Sequence, residues 1–158
     1  MSNFEIDLKT GTKGEVLAFE YLKSLSYVQS IQDVSKDKHF QKLDVDFIVE
    51  DIKGGKMWVE VKYDSFTDGC QELNIKATHN ICFEISSNGN VGCLARSRAD
   101  MICYITTKYI YMFKLNDVKK FINDNKPPLR DMGDGAKGYL LNVDNLLNNK
   151  LMYIAKER

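Results

Sequence analysis

The chain has 158 residues, 44% of them hydrophobic and 28% charged, with two Pro and ten Gly. That length suits a single domain over 1–158 with a core large enough to stand alone, and the composition excludes disordered, collagen-like and low-complexity chains. Lys+Arg and Asp+Glu balance at 22 each, so no bulk positive charge marks a generic nucleic-acid binder.

In chain order, Thr10-Gly11-Thr12 opens a first helix that runs to about Leu25, with Ala18, Phe19, Leu22 and Leu25 at helical spacing. Thr12-Lys13-Gly14-Glu15 reads as a capping box with Thr12 as N-cap. Tyr27–Ile31 is a short strand, and Lys36–Gln41 a polar loop. Leu43–Val49 and Met57–Lys62 then alternate at period two around Lys53-Gly54-Gly55, the pattern of a β-hairpin. One face collects Val45, Phe47, Val49, Val59 and Val61 and belongs to the core. The other carries Asp44, Asp46, Ile48, Trp58, Glu60 and Lys62. Trp58 there is either covered by a helix or placed near a ligand.

Further on, Asn80–Ile85 is a strand, Gly89-Asn90 part of a turn, and Ser97–Asp100 a short helical entry. Ile102–Thr106 and Tyr109–Leu115 are strands joined at Thr107-Lys108. Asn116 or Asp117 caps a helix that ends near Asn125, before Pro127-Pro128. Leu129–Lys137 is a loop, followed by a strand over Tyr139–Val143, a helical turn over Asp144–Asn149 and a strand over Leu151–Ala155. The order predicts an α/β (α+β) domain with a mixed central sheet.

No apolar run approaches the roughly 20 residues that cross a bilayer. Met1–Asp7 has neither the basic nor the apolar region of a secretory leader, so a cytoplasmic protein with no membrane partner is expected. Cys70, Cys82, Cys93 and Cys103 form no CxxC pair, and with only His39 and His79 present they read as reduced thiols rather than a zinc site.

The chemistry concentrates on the hairpin. Glu60 and Lys62 are two apart on a strand and emerge side by side. A three-residue loop at Lys53-Gly54-Gly55 pairs Ile48 with Glu60 and Asp46 with Lys62, which leaves Asp46 a diagonal neighbour of Glu60 at roughly 7–8 Å. A two-residue loop at Gly54-Gly55 instead pairs Val49 with Glu60 and turns Asp46 away, unless a bulge restores it. Two hard carboxylates suit magnesium, which keeps several waters and also contacts phosphate. Lys62 can orient or deprotonate an attacking water, or stabilise charge on the phosphate. Asp44, on the same face, is an alternative ligand.

Asp46, thirteen intervening residues and Glu60-Val61-Lys62 resemble the PD-(D/E)XK nuclease superfamily, with Val45 where the pattern often has proline. Glu15 on the upstream helix is similar to the extra acid of archaeal Holliday-junction-resolvase, phage and restriction nucleases. Asn80–Glu84, Gly92-Cys93-Leu94 and Ser97–Asp100 resemble stretches of small phage members. The resemblance implies a restriction-endonuclease-like mixed central β-sheet flanked by helices. It also implies magnesium-dependent DNA phosphodiester hydrolysis, with manganese as a substitute, and Asp46, Glu60, Lys62 and Glu15 as catalytic residues, the three acids on the metal. Many such nucleases are homodimers.

Each residue also has a plainer reading. Glu60–Lys62 is equally the pattern of a surface cross-strand pair, and Glu15 of the third residue of a capping box. Glu84 reads as a site acid or an exposed strand residue, Asp100 as a site acid or a cap partner of Ser97. Arg96, Arg98, Lys119, Lys120 and Lys126 read as phosphate contacts or solvated helix faces. A silent nucleic-acid-binding or assembly module on the same scaffold, and a ribonuclease using the same site, are the alternative functions.

Overall fold

The computed structural model describes residues 3–133 and 135–158, with side chains from residue 11 on. Met1 and Ser2, in the segment read for a leader, and Asp134, within the loop expected over Leu129–Lys137, lie outside the described residues.

Helix α1 (Asn3–Lys23) is followed by strand β1 (Val28–Asp33), the one-turn α2 (Lys38–Gln41), and strands β2 (Phe47–Asp51) and β3 (Lys56–Tyr63). Then come β4 (Asn80–Ser87), β5 (Asn90–Val91), α3 (Cys93–Arg96), β6 (Met101–Ile105), β7 (Tyr109–Lys114) and α4 (Leu115–Asn125). The chain finishes with β8 (Arg130–Gly133), β9 (Ala136–Asn142), α5 (Val143–Asn148) and β10 (Met152–Glu157). Among the described residues ten strands form two sheets: a six-stranded sheet in the order β1-β2-β3-β6-β7-β10 and a four-stranded sheet in the order β5-β4-β9-β8. Among their pairings only β3–β6 is parallel. The long excursion from β3 to β6 that a parallel pair requires contains β4, β5 and α3.

Strand β6 is buried at all five positions, as a central strand covered on both faces must be. Helix α1 packs on one face, where Ala18, Tyr21 and Leu22 meet Phe47, Val49, Val59, Met101, Cys103, Ile105, Ile110 and Met112. The opposite face buries Ile102, Tyr104, Tyr111 and Phe113 against Ile81 and Phe83 of β4, Leu94 of α3, Val118 and Ile122 of α4 and Leu146 of α5. Phe83 meets Phe113 edge-on at 5.5 Å between ring centroids and 67°, and this contact joins the two sheets. The mixed α/β character expected from the element order is present, but a second sheet, not helices alone, covers one face.

Several local expectations are corrected. Helix α1 begins before Thr12, which therefore lies inside the helix, and Glu15 is not the third residue of a capping box. Gly11 and Gly14 read as a boundary because glycine costs about 1 kcal/mol in a helix interior. Gly14 is instead a point of close packing: a Cβ there would stand 3.0 Å from Tyr63 Cβ. The expected loop over Lys36–Gln41 contains α2, capped by Asp37 Oδ1, which accepts from His39 N at 2.8 Å. Ser97–Asp100 is not helical; the turn of helix lies earlier, at α3. Lys114, not Asn116 or Asp117, is the N-cap of α4. Strand β8 and the start of β9 replace the loop expected over Leu129–Lys137, because β9 finds β4 as a partner 49 or more residues away in sequence, for example Tyr139 opposite Phe83.

The hairpin register also differs. Asp51 N donates to Gly55 O at 2.8 Å, so the loop is Ile52-Lys53-Gly54, with Gly54 at φ +83°. Asp51 Oδ1 accepts from Lys53 N and Gly55 N, which fixes the turn one residue earlier than the glycine pair suggests. Ile48 pairs with Trp58 and Phe47 with Val59, so continuing the register places Asp46 opposite Glu60 rather than diagonal to it. The shift is two positions, so the faces are kept.

Phe113→Ala should destabilise the protein by about 3–5 kcal/mol, because it opens a cavity between the two sheets that neither can close. Ile154→Ala, at a 48% exposed side chain on β10, should cost well under 1 kcal/mol. Urea denaturation of the two variants checks the contrast.

Candidate active site

Strand β2 starts opposite the middle of β3, so residues 60–63 run on past its end. The backbone bends there: Asp44 adopts the left-handed region at φ +50°, which Asp tolerates better than most residues. Val45 consequently packs with the core under the second sheet, not beside Phe47 and Val59 as strict alternation predicts. Asp46 N still donates to Val59 O at 2.9 Å. Its carboxylate reaches along β3, where Oδ2 accepts from Val61 N at 2.7 Å. Asp44, Asp46, Glu60 and Lys62 thereby line one open cavity of about 220 Å³ with Gln41, Val45 and Val61.

Glu60 is 2% exposed, an unusual position for a carboxylate. Its Oε1 lies 2.7 Å from Lys62 Nζ and, apart from this ion contact, has no hydrogen-bond partner. Behind the pair is a small cavity of about 20 Å³ walled by Phe83, Cys93, Leu94, Ile102, Tyr104, Phe113 and Leu115. Burial raises the pKa of Glu60, opposed by Lys62 and Ser97. Burial works against the charge on Lys62, but the Glu60 carboxylate outweighs it and the ammonium is held above its ordinary pKa. Asp46 is pushed up to about 6, first by burial, then against the Val61 hydrogen bond by the field of Glu15, with Lys62 and Asp44 adding smaller opposed effects.

Glu15 is half-buried in the middle of α1 and does not line the cavity. Burial raises its pKa, with Asp33 adding to the rise and Lys36 opposing it. Among the described residues no group of three or more His, Cys, Asp or Glu is gathered closely enough to hold a metal ion. Asp46 and Glu60 are the two carboxylates that share a cavity wall without another salt bridge to a distant partner. Asp44 is engaged: Arg96 donates to its two oxygens from Nε and Nη2, each at 2.8 Å. This two-point clamp ties the bent segment before β2 to the end of α3. Ser97 Oγ, donating to Asp44 O at 3.4 Å, and Arg98 N, donating to Leu43 O at 2.8 Å, tie it further.

The basic residues fall into different places. Arg98 is exposed beside this junction. Lys119 Nζ donates to Ser97 O at 3.4 Å, and its pKa is lowered by burial and by Arg98. Lys120 is in an exposed pair with Asp124 at 3.6 Å and does not line the cavity. Lys126 caps the end of α4 in the left-handed region. Glu84 lies on β4 and does not line the cavity. Asp100 is neither a helix cap nor a cavity residue: its Oδ2 accepts from Trp58 N at 2.8 Å, holding the start of β3 to the start of β6. Trp58 is covered by α2, with Phe40 edge-on at 5.6 Å. The four cysteines are free.

Sequence reasoning missed the group that closes the far end of β3. Asp64 Oδ2 accepts from the hydroxyls of Tyr104 (2.6 Å) and Thr67 (2.5 Å), and Asp64 Oδ1 from Phe66 N (2.6 Å). Only Asp64-Ser65-Phe66, a turn signal of the Asx type, was visible in the sequence.

No family model matches the chain, and no curated protein and no solved structure matches it. Among the described residues no helix is long and apolar enough to cross a membrane.

Asp46 carries a proton more readily in the folded chain than at the ordinary value of 3.8, so its ionisation opposes folding. That cost is absent below about pH 4 and fully present above about pH 6. Asp46→Asn should therefore stabilise the protein at pH 7.5 in chelator by about 2–3 kcal/mol, and by almost nothing at pH 4. Thermal denaturation at the two pH values reads the difference.

Proposed function

We propose that the chain is a metal-dependent nuclease of the PD-(D/E)XK type, with a restriction-endonuclease-like core, that hydrolyses DNA phosphodiester bonds. The observation that carries this reading is the cavity in which Asp46, Glu60 and Lys62 converge, with Glu60 buried and its Oε1 tied only to Lys62. A carboxylate held so far from water against its desolvation cost is a functional-site signal.

Asp46 and Glu60 fit a magnesium ion by the chemistry of their donors. Both are hard oxygen ligands, Glu60 Oε1 has no partner besides Lys62, and an ion of this kind completes its shell with water and substrate phosphate rather than with a third protein carboxylate. Bound there, magnesium would acidify a water and neutralise charge on the phosphate. The chain's own groups divide the remaining work. Val61 N holds Asp46 Oδ2 and so fixes the carboxylate that would, with Glu60, hold the ion. Lys62 remains an ammonium at neutral pH, which fits orientation of the attacking water and stabilisation of charge on the phosphoryl oxygens, not removal of a proton. The second sheet and α3 exclude water behind the pair. Arg98 and Lys119, next to the cavity, supply positive charge for the flanking phosphates.

Purified protein with magnesium should nick supercoiled plasmid or cut branched or single-stranded DNA, and chelator should abolish the activity. Glu60→Gln, Asp46→Asn and Lys62→Ala should each lower the rate by about 10²-fold or more at unchanged circular dichroism. Lys62→Ala should leave binding of DNA mostly intact, because one phosphate contact among several contributes little. Equal activity in wild type and Lys62→Ala, or cleavage of RNA alone, would sink the reading as a deoxyribonuclease.

A further inference from the structure

A second concavity is larger than the Asp46 cavity. A cleft of about 660 Å³ lies at the end of β3, between the start of the β3–β4 excursion, the β6–β7 turn, α1 and the last residue of β10's extension. Its walls carry three cations, Lys13, Lys108 and Arg158. Lys13 Nζ and Arg158 Cζ lie 5.8 and 5.9 Å from the centroid of the same ring, Tyr63. Two cations drawn to one ring repel each other, and among the described residues none of the three is in an ion pair. Two acids share the lining, Asp68, which accepts the Thr106 hydroxyl, and Glu72, exposed at the rim, and neither is within ion-pair distance of the three cations.

The cleft is preformed. Cys70 and Ile75 bridge each other through both backbone N–H groups at 2.9 and 2.8 Å, and Thr107 Oγ1 donates to Gly69 O at 2.6 Å. It lies across β3 from the candidate active site: Lys62 lines the Asp46 cavity, and Tyr63, the next residue and so on the opposite face, lines the cleft, so a strand that reaches both passes round the edge of β3 where residues 60–63 run on past β2. On α1, Lys13 stands over Tyr63, Gly14 packs on it, and the field of Glu15 reaches Asp46.

We infer that this cleft holds a single strand of the nucleic acid whose phosphodiester reaches Asp46, Glu60 and Lys62, with Lys13, Lys108 and Arg158 on its phosphates. The inference rests on the nuclease reading. A phosphodiester chain relieves the repulsion of the three cations, and a concavity with an aromatic floor and a basic rim is the arrangement that tracks an unpaired strand.

The test uses fluorescence anisotropy of a labelled single-stranded oligodeoxynucleotide in calcium, titrated with salt. Lys13 and Lys108 are exposed, so their replacement leaves the fold intact; Arg158 also donates to Thr106 O and is left in place. The double variant Lys13→Ala, Lys108→Ala should bind about tenfold or more weakly at low salt. Its salt dependence should fall by about 1.4 in slope, near 0.7 per lost contact on a single strand. Lys56→Ala, at the exposed opposite end of β3, should change neither. A single strand carrying 5-iododeoxyuridine should photo-crosslink at Tyr63. If wild type cleaves DNA while the double variant keeps its affinity and slope, the cleft is not the strand path and the nuclease reading stands. If wild type neither binds nor cleaves any nucleic acid, the nuclease reading fails and the cleft assignment falls with it.

Discussion

A carboxylate with almost no contact with water organises this molecule. Glu60 sits 2% exposed at the middle of β3, and its compensation is one ammonium two residues away. Removing a carboxylate from water is expensive, and an ion pair in a low-dielectric surrounding offsets the expense only with close geometry. The 2.7 Å contact supplies that geometry. It leaves Oε1 otherwise unbonded, so the pair is incompletely satisfied on the side that opens to the Asp46 cavity.

The second sheet is what makes this environment. A single sheet with helices on one face would leave Glu60 and Lys62 as a solvated pair on one strand, worth little. Strand β4 instead brings Phe83 onto Phe113, and α3 brings Cys93 and Leu94 behind the pair. The same α3 ends in Arg96, whose clamp on Asp44 holds the bend that delivers Asp46 to β3. One element therefore both dries the back of the site and fixes its front edge.

Helix α1 plays the corresponding part on the other face. Gly14 permits the helix backbone to approach Tyr63 at a distance that a Cβ would crowd. That approach sets Glu15 within electrostatic reach of Asp46 and Lys13 over the Tyr63 ring. The cavity and the basic cleft are thus two sides of a single helix–strand crossing, and a change at Gly14 acts on both.

Period-two alternation placed the paired strands over 47–49 and 57–62, but not over 43–46, which bend out of β2, and it put Glu60 and Lys62 together because side chains two apart on a strand share a face. Ile102–Thr106 and Tyr109–Leu115 likewise read as two joined strands, and the structure makes the first of them a central strand buried on both faces. The sequence could not set the hairpin register, because Gly54 and Gly55 each suit a left-handed position and the choice was made by Asp51 accepting from Lys53 and Gly55. Nor could it show α1 running through Gly11 and Gly14, because the reason for Gly14 lies on Tyr63, 49 residues away in the chain. The β4–β9 pairing, the Arg96–Asp44 clamp and the Asp100–Trp58 bond all join residues 42 or more positions apart. Local pattern carries no information on such pairs; only the closing of the two sheets on each other decided that Glu60 is buried, that Asp44 is engaged and that Asp46 faces the open cavity.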